Sequence, residues 1–178
     1  MLNRNGLEIF RVENLVVHGG SNRIYACKLG AREIENSVAE NLSLEQEYGI
    51  QELATYKKFA KKVATSKDAL LELLTNMKNE GRKVVSYGAT SKSTTVFNYC
   101  GIGPDLIDYI VDTTEAKQGK LSPGMHIPVV PPQSGFNDTV DVAFLGAWNY
   151  EKEILSKEEN FLKGGGRFVT HIPYVRFM

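Results

Sequence analysis

The stretch that most constrains this chain runs from Lys83 to Asn98: Lys-Val-Val-Ser-Tyr-Gly-Ala-Thr-Ser-Lys-Ser-Thr-Thr-Val-Phe-Asn. Val84 and Val85 form an apolar run that ends at Gly88. Thr90, Ser91 and Ser93 then offer capping hydroxyls, and Val96, Phe97 and Cys100 continue at helical spacing to a stop at Gly101. A strand, a tight turn and a helix N-terminus make the geometry in which free backbone N–H groups converge on an anion. Lys92 stands in the first helical turn, where its charge opposes the positive helix end by a few tenths to about 1 kcal/mol. A bound phosphate reverses that sign. The stretch reads either as a phosphate cradle or as a plain strand–helix junction with Lys92 in solvent. It is neither a Walker loop, which has a second glycine before Lys-Ser/Thr, nor Gly-x-Gly-x-x-Gly.

The 178 residues suffice for one good-sized domain, or one domain with an appendage. The formal net charge is zero and the charges are mixed. Without a basic stripe, nucleic acid and anionic membranes are not expected partners. Cys27 and Cys100 make no metal-ligand pattern and read as small core residues of a reducing compartment. There is no secretory segment and no apolar run long enough for a bilayer, so the expected location is the cytoplasm.

Leu7–Val17 and Arg23–Lys28 pattern as two strands around the turn His18-Gly-Gly-Ser-Asn22, an antiparallel hairpin over residues 1–30. Residues 31–42 are polar and acidic without periodicity and read as a linker. Ser43-Leu-Glu-Gln46 has capping-box spacing and should open a helix striped by Tyr56, Phe59, Ala60 and Val63. A second helix should start at Ser66 and carry Leu70, Leu73, Leu74 and Met77 to a stop at Gly81. Beyond the central strand and helix, strands are expected at Asp105–Asp112, His126–Val130, Val140–Leu145 and Arg167–Pro173, with a helix through Ile154, Leu155, Phe161 and Leu162. Alternating strands and helices predict an α/β, Rossmann-like, doubly wound and mostly parallel sheet over residues 43–178, preceded by the hairpin and a helical lead-in. Such sheets hold ligands at the carboxyl ends of their strands. Gly88–Lys92, Asp112 and Trp148-Asn149 all fall there.

Seven motifs occur in order: His18-Gly-Gly-Ser21, Tyr87-Gly-Ala-Thr-Ser-Lys92, Asn98-Tyr-Cys-Gly-Ile102, Lys117-Gln-Gly119, Pro123-Gly-Met-His-Ile-Pro128, Ala147-Trp-Asn149 and Gly165-Gly-Arg-Phe168. Together they resemble the C-terminal part of the S-adenosylmethionine-dependent sugar C-methyltransferases, which methylate a carbon of a nucleotide-linked ketosugar in deoxysugar biosynthesis. The resemblance covers nearly the whole chain. It implies a three-part enzyme, with a zinc-binding N-terminal part, a methyltransferase part and a C-terminal Rossmann-like part, the nucleotide-sugar lying between the last two. On that resemblance the hairpin closes the methyltransferase part, and the methyltransferase domain is a partner in cis or in trans. The family's cysteine cluster, cofactor glycine loop and Tyr/Glu/His base segment have no counterpart in these residues. The expectation is therefore that this chain holds no cofactor, no metal and no catalytic residue, and that S-adenosylmethionine belongs to the full-length enzyme. Ser93 stands where the family has glycine.

The resemblance implies a nucleoside diphosphate sugar as ligand. Its candidate contacts are Tyr87, Gly88, Ala89, Thr90, Ser91 and Lys92 for the diphosphate, and Asp112 for a ribose hydroxyl or base. Lys117 and Gln118 are candidates over the sugar, Trp148 and Asn149 as wall and hydrogen-bond partner, and Arg176 as a second cation. Each has a plainer alternative: Trp148 in a core, Asn149 as a helix cap, Asp112 capping a loop, Lys117 and Gln118 in solvent. His126 and His171 lie in apolar runs and read as satisfied structural histidines; His18 lies in a turn. The rival functions are an NAD(P)-type Rossmann oxidoreductase domain, which would carry Gly-x-Gly-x-x-Gly, and a non-catalytic interaction module. The open hairpin edge also invites self-association through that element.

Overall fold

The computed structural model describes residues 1–137 and 139–178. The chain divides into two compact units, Met1–Lys62 and Val63–Met178.

In Met1–Lys62, β1 (Leu7–Leu15) and β2 (Ser21–Lys28) form an antiparallel two-stranded sheet, with Leu7 opposite Lys28, Leu15 opposite Ser21 and a bulge between Ile9 and Arg11. The connection Val17–Gly19 is a single tight turn in which His18 adopts φ 57°. The helix α1 (Asn36–Tyr48) is tied to β1 by the Glu35 N–H, which donates to the Phe10 carbonyl (2.8 Å), and by the Val12 N–H, which donates to Ser37 Oγ (3.2 Å). The Glu13 carboxylate accepts from the Tyr25 hydroxyl at 2.9 Å and pairs with Arg11 and Arg23. Every residue of this unit is described, and none is buried. The helix α2 (Leu53–Asn79) contains the division at Lys62/Val63.

Val63–Met178 is built on a six-stranded sheet. Its strands are β3 (Val84–Tyr87), β4 (Ile110–Val111), β5 (Val129–Val130), β6 (Val142–Leu145), β7 (Arg167–Thr170) and β8 (Arg176–Phe177), in the order β5-β4-β3-β6-β7-β8. All neighbours are parallel except β7 and β8. Alternation along each strand sorts the core into two layers. Val84, Ile110, Val129, Val142, Phe144 and Val169 pack with Leu70 and Leu74 of α2 and Phe97 of α3 (Ser91–Cys100). Val85, Tyr87, Ala143, Leu145 and Phe168 pack on the other face, with Ile154 of α5 (Glu151–Lys157) and Phe161 of α6 (Glu159–Lys163); α4 is the single turn Pro132–Gly135. After β3 the chain steps outward to β4 and β5, then returns to place β6 on the other side of β3. The reversal opens a crevice at the carboxyl ends of β3 and β6, the topological switch point of such sheets. The fold is the Rossmann-like, mostly parallel α/β arrangement that the alternation of strands and helices implies.

Several local expectations fail for physical reasons. Residues 36–42, read as linker, are the first half of α1, and Ser43 is interior to it rather than its cap. No side chain there is buried, so no apolar stripe reveals the helix. Ser66 is likewise interior to a continuous α2. Of Asp105–Asp112 only Ile110–Val111 is strand: Leu106 and Ile107 are folded back onto the Gly103 carbonyl, and their apolar side chains fill the core from a turn. His126 sits at φ 55° in an exposed turn, not in a strand. His171 is stacked on Phe144 at 5.5 Å with its Nδ1 buried and without a partner among the described residues, so it is not a satisfied histidine. Burial pushes its pKa down. The antiparallel β8 has no signal in its two residues.

Candidate functional site

The turn after β3 is fixed by its own side chains. Gly88 has φ +99°, a conformation only glycine adopts freely, and a Cβ there would meet Ala147 Cβ at 3.1 Å. Thr90 caps α3 through a reciprocal box: its Oγ1 accepts from the Ser93 N–H, and Ser93 Oγ accepts from the Thr90 N–H, both at 3.0 Å. Thr90 Oγ1 also donates to the Gly146 carbonyl at 2.7 Å, joining the turns that follow β3 and β6. Ser93 has room because Gly146 faces it: a Cβ on Gly146 would sit 3.0 Å from Ser93 Cβ and well inside contact of the Gly88 carbonyl oxygen.

Asp112, at the end of β4, contributes a carboxylate that is 8% exposed. Its Oδ2 accepts from the Ala89 N–H (2.7 Å) and from Lys117 Nζ (3.2 Å), and its Oδ1 from the Thr114 N–H (2.8 Å). Burial alone would raise its pKa, but the donors on Thr114, Ala89 and Lys117 outweigh it and hold the carboxyl below the usual range. Lys117 Nζ also donates to the Ala89 carbonyl at 2.8 Å, and Gln118 Nε2 to the Asp112 carbonyl at 3.0 Å. Asp112, Lys117 and Gln118 are thus one network that braces the turn. With Gly88 in the sheet ladder and Ala89 and Thr90 engaged, the turn donors left without a partner among the described residues are the Ser91 and Lys92 N–H groups.

Both precede the Lys92 side chain in the first turn of α3. Its ammonium lies 3.3 Å from Asn149 Oδ1 and 5.6 Å from the centre of the Trp148 ring, so it is paired with an amide and a ring rather than with a carboxylate. Trp148 and Asn149 belong to the single turn Trp148–Tyr150 that leads into α5. The structure therefore gathers Gly88–Lys92, Trp148 and Asn149 at the switch point. Tyr87 points its ring into the α5 layer, against Phe136 and Phe168, and donates its hydroxyl to Glu158 Oε1 at 2.5 Å; burial, then that contact, pushes its pKa up. Arg176 is held by the Glu151 carboxylate (3.2 Å) and the Ile172 carbonyl.

Two cavities flank the turn. One, of about 260 Å³, lies on the α5 face between Thr90, Asp112, Thr113, Thr114, Tyr150 and Lys157. The other, of about 580 Å³, lies on the α3 face between Ser91, Thr94, Thr95, Lys117, Lys120 and Leu121. Thr94, Thr95, Lys120 and Leu121 are not among the residues the sequence singles out; the one local signal is Leu121, a lone apolar residue in a polar loop. Among the described residues no group of three or more His, Cys, Asp or Glu side chains is placed to hold a metal, and no helix is long and apolar enough to cross a membrane.

The motifs also explain one another in space. Asn98 Nδ2 donates to the Pro123 carbonyl at 2.9 Å, so Asn98-Tyr-Cys-Gly-Ile102 docks on Pro123-Gly-Met-His-Ile-Pro128. A sequence family described as the C-methyltransferase C-terminal domain matches residues 16–173. The C-methyltransferase NovU of Streptomyces niveus is 37% identical over 173 residues, which are 97% of this chain and 41% of that protein. The chain thus spans less than half the length of that relative. With the fold and the ordered motifs in agreement, this chain belongs to the C-methyltransferase C-terminal domain family.

Proposed function

We propose that Val63–Met178 binds the nucleoside diphosphate of a nucleotide-linked ketosugar and positions the sugar for C-methylation carried out by the rest of a C-methyltransferase. The observation that carries this reading is Lys92: a half-buried ammonium in the first turn of α3, against Asn149 and Trp148, beside two free N–H donors at the switch point. A cation there is unfavourable toward the helix dipole by up to about 1 kcal/mol, and an anion placed on it offsets that cost. The same charge argues that S-adenosylmethionine sits elsewhere, because a sulfonium cation beside Lys92 is repelled. No step of methyl transfer is assigned to this chain's side chains. Its contribution is positional, holding the reacting carbon by a remote diphosphate, the proximity component of catalysis. On this reading the hairpin belongs with a methyltransferase domain, in cis or in trans.

Calorimetric titration of the 178-residue chain with a nucleoside diphosphate hexose tests the reading. A charge-assisted hydrogen bond contributes roughly 1.5–3 kcal/mol, so Lys92→Ala should weaken binding about ten- to a hundredfold. Its cost in stability is limited to the contacts with Trp148 and Asn149, about 1 kcal/mol or less each. Lys163→Ala, on α6 and paired with Glu159, is the control and should leave affinity unchanged. If Lys92→Ala binds as tightly as the parent, the diphosphate does not lie on this turn.

A further inference from the structure

Away from the turn, Met1–Lys62 carries two helical stretches whose large apolar side chains are uncovered. They are Leu42, Leu44 and Tyr48 on α1, and Leu53, Tyr56 and Phe59 on the head of α2, each between 55% and 70% exposed. On α2, Leu53, Tyr56, Ala60 and Val63 recur three and four apart, the spacing of one helix face. Leu70, Leu74 and Met77 recur in the same way further along, and there Leu70 and Leu74 are buried. The corner joining α1 to α2 is fixed. Gly49 ends α1 at φ 72°, with its N–H on the Gln46 carbonyl and the Ile50 N–H on the Glu45 carbonyl. The Glu52 N–H donates to the Gly49 carbonyl, and the Tyr56 hydroxyl to the Ile50 carbonyl. The apolar side chains are thus held outward by an ordered backbone.

Charge separates the two stretches. On α1 stand Glu40, Glu45 and Glu47 with no lysine or arginine; on Leu53–Lys62 stand Lys57, Lys58, Lys61 and Lys62 with no acid. Opposite signs thus lie on consecutive helices, yet none of these side chains forms an ion pair among the described residues. We propose that this face docks on the same face of a second copy, α1 of each copy lying against the head of α2 of the other. A surface that carries both signs side by side complements itself when turned about a two-fold axis, and the glutamates then meet the lysines twice. A partner of one sign is served worse: an anionic membrane attracts the lysines and repels the glutamates. In the dimer the apolar side chains supply the affinity, while exposed ion pairs contribute little to it and set register and encounter rate. The size is also adequate. The 13 residues of α1 and the stretch Leu53–Lys62 together come to the roughly 20–30 residues a side of a stable interface. Such a dimer leaves the hairpin edge unused and owes nothing to the diphosphate reading.

Sedimentation equilibrium of the full 178-residue chain should show a dimer that forms well below about 0.1 mM. Phe59→Asp should raise its dissociation constant roughly tenfold or more, whereas Ile24→Asp on the hairpin should change it by less than about twofold. Reversing the charges on either helix, by Glu40→Lys with Glu47→Lys or by Lys57→Glu with Lys62→Glu, should weaken self-association about tenfold, because like charges then face each other. All these positions are exposed, so the fold should persist, as circular dichroism checks. Mixing the two charge-reversed chains in equal amounts should restore a dimer of one copy of each, an outcome that damage to either fold would not produce. A monomer at every concentration up to about 0.1 mM overturns the proposal, whether the helices then take vesicles of anionic lipid or another domain. A dimer indifferent to both reversals and to Phe59→Asp lies on another face, and overturns it equally.

Discussion

The two units of this chain answer the same demand, burying apolar surface, with opposite success. In Val63–Met178 both faces of the sheet are covered, and Val84, Phe97, Phe144 and Phe168 are at most 1% exposed. In Met1–Lys62 nothing is buried: Val16 is 96% exposed, Ile24 55% and Leu42 61%, around a sheet of two strands with no third strand beside them among the described residues. A hairpin of that kind is marginally stable in water, because it gains little from the hydrophobic effect to set against the entropy of ordering it. The lesson is that secondary structure and a core are separate achievements. The first unit has cross-strand pairs and an ion-pair cluster at Glu13, which is local order; the second has a cooperative interior.

Mutation should expose the difference most sharply in the cores. Phe144→Ala should destabilise Val63–Met178 by about 3–5 kcal/mol, read by urea denaturation through the fluorescence of Trp148, the chain's one tryptophan. Ile24→Ala should change that transition by no more than about 0.5 kcal/mol. An equal cost for both would mean that the first unit has an interior of its own.

Adding volume sharpens the same contrast at lower cost. Gly146→Ala drives a methyl into the Gly88 carbonyl and Ser93, and should cost about 1–3 kcal/mol with shifted Gly88 and Ser93 amides. Ala26→Val, which adds more volume to an exposed strand position, should stay within about 0.5 kcal/mol. A silent Gly146→Ala would show that the two turns can part.

Charge gives the smallest effect. The folded pKa of Asp112 lies below its unfolded value near 3.9, so its stabilisation is fully present above about pH 4 and is lost as pH falls through the lower folded value. Asp112→Asn should therefore be less stable than the parent at neutral pH, and the gap should close in acid, as followed by denaturation at a series of pH values. Glu13 is also shifted down, first by the Tyr25 hydroxyl, but it lies in the unit without a buried residue; Glu13→Gln should leave the pH profile of the main transition unaltered, and added salt should weaken the Glu13 contacts.

What the sequence discloses follows the same division. Val84-Val85, Gly88 and the hydroxyls of Thr90 and Ser93 announce β3, its turn and α3, because burial and capping leave local signatures. The α1 helix hides for the opposite reason: Asn36–Tyr48 buries nothing, so its sequence is free of period, and the box-like spacing at Ser43 misleads. Lys92, Trp148 and Asn149 are legible as strand-end residues of a switch point. The use of Asp112 is not, since whether a carboxylate there meets a ribose or the Ala89 N–H depends on how closely β4 and the turn approach. Nor do Thr94, Thr95 and Leu121 declare a shared cavity, which exists only once the Lys120–Ile127 loop is folded against α3.

The internal carboxylate at the turn has a consequence for association. Asp112 already supplies the anion that the Ala89 N–H and the Lys117 ammonium seek, so Gly88–Thr90 gives up its freedom when the chain folds and not when a ligand arrives. A partner meeting such a surface spends little on ordering it, and the disorder lost at each encounter is mainly its own. Selection on that floor is then by fit. On the proposed diphosphate reading, a ligand whose bridging group is a little too long or too short would meet a turn that does not follow it, and would leave quickly rather than arrive slowly.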